Sequence, residues 1–123
     1  MRHGIAYLAQ RSDGAVLLVR RAESGLLGGM LALPGTDWIE AAPAPRPPLA
    51  ASWRVVEGEV RHTFTHFHLR LRVETARVPA GRAPEGEIEA GAFHPWSSEL
   101  EAALPTVMRK ALRLGIAALE GPG

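Results

Sequence analysis

The chain opens on two short apolar runs, Gly4-Ile5-Ala6-Tyr7-Leu8-Ala9-Gln10 and Ala15-Val16-Leu17-Leu18-Val19-Arg20, joined by Arg11-Ser12-Asp13-Gly14. The Asp-Gly pair is a strong turn signal, so these runs predict a β-hairpin. The next stretch, Ser24 to Gly35, holds Gly25, Gly28, Gly29 and Pro34, which rules out a regular helix and predicts a loop that turns its Leu and Met residues inward. Pro43-Ala44-Pro45-Arg46-Pro47-Pro48 is stiff, and Pro48 suits the first turn of a short helix reaching about Trp53. Two strand segments follow between Glu59 and Val78. The second alternates cleanly, with Leu69, Leu71 and Val73 on a buried side and Arg70, Arg72 and Glu74 on a wet one. Residues 79–86 read as loop, and Ile88 to Phe93 as a weak strand. Ser98 and Glu101 have capping-box spacing for a short helix ending near Leu104. A last helix is predicted from about Pro105, with Met108, Leu112, Gly115, Ile116 and Leu119 on its apolar face and Arg109, Lys110 and Arg113 opposite. Gly121-Pro122 stops it. The order of hairpin, strands and helices, with no internal repeat, predicts an α+β sandwich with a mixed sheet.

Composition narrows the function classes. A chain of 123 residues with 46% apolar and 22% charged residues suits one compact domain over 1–123. There is no cysteine, so disulfides, thiolate zinc sites and iron–sulfur clusters are excluded within it, which fits a reducing cytoplasm. No apolar run has the length of a membrane span, so a membrane partner is not expected. Net charge is +1, from 14 Lys plus Arg against 13 Asp plus Glu, which argues against a free-standing tight DNA binder. The charge is uneven, however: between Arg54 and Arg77, five arginines and three histidines face Glu57, Glu59 and Glu74.

Ser24-Gly25-Leu26-Leu27-Gly28-Gly29-Met30-Leu31-Ala32-Leu33-Pro34-Gly35, followed by Arg61-His62-Thr63-Phe64-Thr65-His66-Phe67-His68-Leu69, resembles the C-terminal domain of MutY-type adenine DNA glycosylases. Leu104-Pro105-Thr106-Val107-Met108-Arg109-Lys110 is similar to the closing helix of that domain. The resemblance implies a Nudix-like α/β/α sandwich with a mixed β-sheet and flanking helices. It also implies a role in recognising 8-oxoguanine opposite a misincorporated adenine, in double-stranded DNA. Removal of the adenine would belong to a separate N-terminal catalytic domain, which would carry the family's catalytic carboxylates and its 4Fe-4S cluster and be a partner of this one. No catalytic residue and no cofactor is therefore expected in this chain, and the implied location is cytoplasmic, at a bacterial nucleoid.

Phe64-Thr65-His66 matches the family's Phe-Ser-His loop, with threonine in place of serine. Oxidation at C8 turns N7 of the purine from an acceptor into a donor and adds a carbonyl, so a detector needs an acceptor at N7 with a donor nearby. A hydroxyl does either, so Thr65 needs a fixed backbone group beside it to discriminate. Its methyl restricts χ1, which either sets or spoils the hydroxyl's aim. The bland alternative is an ordinary strand residue. Phe64 and Phe67 read as packing anchors or as wedges beside a base, and Arg61, Arg70 and Arg72 as phosphate contacts or a solvated strand face. His66 and His68 share one side of an extended chain, joined by His62 if the strand is continuous; contact with base or phosphate accounts for them as well as a metal does, and no metal site is expected. Gly25, Gly28 and Gly29 permit unusual backbone angles and a close approach, either to DNA or to the rest of the protein.

The related Nudix hydrolases gather carboxylates around Mg²⁺ with a Gly-x5-Glu-x7-Arg-Glu-x2-Glu-Glu box. Aligned without gaps from Thr36, the Arg-Glu-x2-Glu-Glu slots hold Ala50, Ala51, Ser52, Trp53, Arg54 and Val55, a shift of one residue rescues nothing, and the acids between Gly35 and Glu57 are Asp37 and Glu40. A carboxylate cage is absent. The leading reading is lesion recognition without catalysis. The alternatives are a divergent hydrolase of nucleoside diphosphates and a protein-interaction module docking through Gly25-Leu26-Leu27-Gly28-Gly29.

Overall fold

Asp13 sets the first turn. In the computed structural model, which describes residues 1–21, 27–79 and 91–121, its carboxylate accepts from the Ala15 amide at 3.1 Å and from the Arg11 guanidinium at 2.7 Å. Gly14 takes φ +92°, the left-handed step that returns β1 (Arg2–Arg11) into β2 (Val16–Arg20). The predicted hairpin is present, with Gln10 opposite Val16. Beyond that pair the strands part. β2 goes on to pair with β3 (Leu31–Ala32) and β7 (Ala92–His94), and the freed edge of β1 is taken by residues 34–39. There the Tyr7 amide donates to the Pro34 carbonyl at 2.8 Å, Thr36 to Ile5 at 3.0 Å, and His3 and Ile39 exchange both bonds. Gly35 permits the crossing, since a Cβ there would lie 2.4 Å from the Ile5 carbonyl oxygen.

The other edge of β1 runs parallel to β6 (His68–Val78) along its whole length, from Arg2 opposite Leu69 to Arg11 opposite Val78. Two short antiparallel pieces complete the far side of β6: β4 (Arg54–Val55) and β5 (Val60–Thr63), with Gly58 at φ +90° in the break between them. The sheet is mixed, as predicted. Two helices follow, α1 (Ser98–Ala103) and α2 (Thr106–Glu120).

One sheet face packs on α2, where Ala6, Leu8, Leu69, Leu71 and Val73 meet Met108, Ala111, Leu112 and Ile116. Gly115 brings the helix close, because a Cβ there would come within 2.5 Å of Leu8 Cδ2. The opposite face buries Ala9, Leu17 and Val78 under Leu49, with Trp53 and Phe93 partly buried around them. Tyr7 is sealed beneath the same irregular segment: its hydroxyl accepts from the Arg46 amide at 2.8 Å, its ring meets the edge of Trp53, and burial raises its pKa.

Several local expectations are corrected. The short helix from Pro48 to Trp53 does not form; residues 36–53 contain no helix, and that cover is irregular chain. Burial of Leu49, with the Trp53 indole donating to the Leu49 carbonyl at 3.0 Å, outweighs a weak first-turn signal. Leu31 and Ala32, read as loop, form a strand. Met30 turns outward at 39% exposure instead of inward, whereas Leu33 is buried. Glu74 is not wet. It is 8% exposed, paired to Arg72 at 2.9 Å under the cover of β4. The cap of α1 is Ser97, whose hydroxyl accepts from the Leu100 amide at 3.1 Å, which frees Glu101 to pair with Arg113. The weak strand expected from Ile88 to Phe93 is seen as Ala92–His94, with 88–90 outside the described residues.

Candidate nucleic-acid interface

β5 and β6 form a hairpin whose tip is Thr65-His66. Thr63 pairs with His68, and the Phe64 amide donates to the Phe67 carbonyl at 2.8 Å, which leaves a two-residue connection. Neither tip residue takes a positive φ, so this is not one of the primed turns that usually close such loops. The bracing comes from below. Phe64 and Phe67 stack tilted at 4.9 Å, Trp38 lies 5.7 Å from Phe64, and His62 meets Phe64 edge-on at 4.7 Å. The Arg2 guanidinium covers Phe67 at 4.1 Å and Arg21 covers Trp38 at 4.7 Å. Thr65 and His66 are exposed above this stack and make no hydrogen bond to the described residues.

The strand alternation sorts the basic residues onto two faces. Arg61 and Thr63 of β5 share the outward face with His68, Arg70 and Arg72 of β6, and His62 turns to the α2 side. There Lys110 Nζ lies 3.3 Å from His62 Nδ1 and 3.5 Å from the Arg61 carbonyl. Burial and the Lys110 charge lower the pKa of His62, favouring a neutral ring that accepts from the ammonium. His62 therefore does not join His66 and His68; the strand turns back instead of continuing. Among the described residues no group of three His, Cys, Asp or Glu side chains is placed to hold a metal.

On the outward face Arg61 and Arg70 are directly opposite. Glu59 lies between them and accepts from Arg70 Nε at 2.6 Å and from Arg61 Nε at 3.2 Å, bonds that lower its pKa, Arg70 contributing most. Thr63 Oγ1 and His68 Nδ1 are 2.9 Å apart beside this trio. A depression of about 270 Å³ is lined by Arg61, Thr63, His68 and Arg70 together with Met1, His62 and Leu69. Arg72 is held by Glu74 instead.

The Gly-rich loop supports the same end of the molecule. Gly25 lies outside the described residues. Gly29 takes φ +75° as expected, but the second left-handed residue is Leu27 at φ 59°, not Gly28. The Gly29 amide donates to the Arg21 carbonyl at 3.0 Å and its own carbonyl accepts from Arg20, which places the loop's base beside the Arg21–Trp38 stack. Nothing in the sequence singles out Trp38, Glu59 or Lys110 as neighbours of the tip. Their partners lie far along the chain, where no local pattern reports them. Asp37 and Glu40 are both exposed on the irregular segment, and no helix gathers them.

The chain belongs to the NUDIX domain family, whose sequence profile matches residues 5–114. Within it, a particular relative is human adenine DNA glycosylase, 32% identical over 113 residues that cover 80% of this chain. The chain spans about a fifth of that protein's length, 20%. Among solved structures, the C-terminal domain of mouse MUTYH, crystallised in complex with human PCNA, superposes with a TM-score of 0.70 at 22% identity, over 100% of this chain and 92% of that one. The MutT protein from Methanosarcina mazei gives 0.65 at 18% identity, over 92% and 91%. The NUDIX domain of Shewanella oneidensis NrtR, complexed with ADP ribose, gives 0.65 at 16%, over 96% and 86%. At such identities these superpositions establish the fold alone.

Proposed function

We propose that this chain is the 8-oxoguanine recognition domain of an adenine DNA glycosylase, binding duplex DNA with the lesion opposite adenine and leaving hydrolysis to an N-terminal catalytic domain that carries the 4Fe-4S cluster. The observation that carries the reading is the exposed Thr65-His66 tip, braced by Phe64, Phe67 and Trp38 and bordered by the basic face of Arg61, His68 and Arg70. A tip that must meet one base edge has to be held still, and a stack of rings does this without using the tip's own polar groups. The Thr65 hydroxyl then accepts from N7–H of the lesion, with His66 beside it to face the new carbonyl. Arg61 and His68 hold the backbone. The identity to adenine DNA glycosylase supports the assignment, and the uncollected acids Asp37 and Glu40 argue against Mg²⁺-dependent pyrophosphate cleavage.

One base-edge contact is worth about 1 to 3 kcal/mol, roughly ten- to a hundredfold in preference. Thr65→Ala in the full-length enzyme is expected to lower preference for the lesion pair by that order, with the fold unchanged by circular dichroism. An unchanged preference removes Thr65 from the site. Assay of this chain with Mg²⁺ and oxidised dGTP separates recognition from hydrolysis, and release of pyrophosphate overturns the proposal.

A further inference from the structure

The geometry points to a single-phosphate subsite between β5 and β6, closed by its own counter-ion, Glu59, which a DNA phosphodiester displaces; this rests on the DNA-binding reading above. Arg61 and Arg70 stand directly opposite across the strand pair, an arrangement that is destabilising for like charges unless an anion lies between them. Glu59 supplies that anion with a single oxygen, Oε1, which accepts from both guanidinium groups. Arg70 reaches Oε1 through both Nε and Nη2, and Arg61, 74% exposed, reaches it through Nε.

The Arg61 arm of this bridge is exposed and contributes little, while the Arg70 arm is part-buried and is the one a ligand has to replace. A phosphate offers more acceptor oxygens than Oε1 and matches the planar guanidinium fork, so exchange of one anion for the other favours the ligand. Room is present: the depression beside the pair, about 270 Å³, also presents the Thr63 hydroxyl and the His68 ring. A glutamate carboxyl is ionised at neutral pH with or without its arginine partners, so the displaced group leaves as a carboxylate and no proton moves. Arg72 is unsuited to the same part, because its partner Glu74 is buried and cannot swing into water. Glu59, whose side chain is 28% exposed, already reaches water.

The test is binding of the 123-residue chain to a short undamaged duplex by fluorescence polarisation across a salt series. Glu59→Gln is expected to tighten binding about fivefold at low salt, the effect of removing one opposing charge at close range in water. Arg70→Gln is expected to weaken it and to flatten the slope of log K against log salt by about one, because one phosphate fewer is neutralised. Unchanged or weaker binding by Glu59→Gln overturns the counter-ion role. Side-chain ¹H–¹⁵N spectra of the unsubstituted chain give a reading free of folding defects: duplex moves the Arg70 Nε signal, whereas inorganic phosphate at equal concentration leaves it. Equal movement by inorganic phosphate overturns the assignment to DNA backbone. Failure of the unsubstituted chain to bind any duplex at low salt sinks the functional reading itself, a result distinct from binding that Glu59→Gln fails to improve.

Discussion

Phe64 is the side chain on which the tip depends most, since it touches Trp38, His62 and Phe67 at once. Phe64→Ala takes away the ring on which all of these lean, and because that ring is only partly buried the expected destabilisation is about 2 kcal/mol, below the roughly 3 to 5 of a fully buried phenylalanine. Urea denaturation checks it. Gly4→Ala reaches the same stack from beneath, since a Cβ there would sit 2.4 Å from Trp38 Cδ1. His62 adds a pH dependence to the support. Its folded pKa is below the ordinary 6.5, so the unfolded chain binds a proton more readily, and the stability His62 contributes is present above about pH 6.5 and lost as pH falls below it. His62→Gln is expected to flatten the pH profile of the melting temperature there. Glu59 acts lower: its folded pKa is depressed from 4.5, so its share is present above that value and lost as pH falls through the folded pKa.

Among elements, α2 makes the sharpest demand, because Gly115 sits against Leu8 with a Cβ distance of 2.5 Å. Gly115→Val is expected to cost about 1 to 3 kcal/mol by overpacking, measured by thermal denaturation. The same helix shows why part of the fold is legible in the sequence. Its apolar period from Met108 to Ile116 faces the sheet as predicted, and Asp13-Gly14 dictates its turn locally. The β5–β6 hairpin is legible as two strand segments, but not as a two-residue turn, since Thr65-His66 has none of the Gly, Asn or Asp that mark one. Elements set by tertiary partners are not legible. Leu49 and Trp53 give up a helix to cover the second core, and Leu31-Ala32 becomes a strand because β2 offers an edge. Of the candidate site, the tip and Arg61 are readable from residue type; the Trp38 brace, the Glu59 bridge and the Lys110 contact join residues that only folding brings together.

At the scale of the whole molecule, a net charge of +1 limits what the outward basic face can achieve. Binding of duplex by this chain is expected to be weak and to fall as salt rises, and tight, salt-insensitive binding contradicts the picture. The basic groups are divided between two faces: Lys110 and His62 on one side of β5, Arg61 and Arg70 on the other.

The parallel register between β1 and β6 has a kinetic consequence. On the ribosome, the first strand is synthesised long before its principal neighbour, and it must wait with one flank unmatched until Val78 has cleared the exit tunnel. Such long-range closure is slow, in the milliseconds-to-seconds class of non-local topologies, so the flank of Ile5 to Ala9 that β6 will cover is among the last parts of this sheet to be paired.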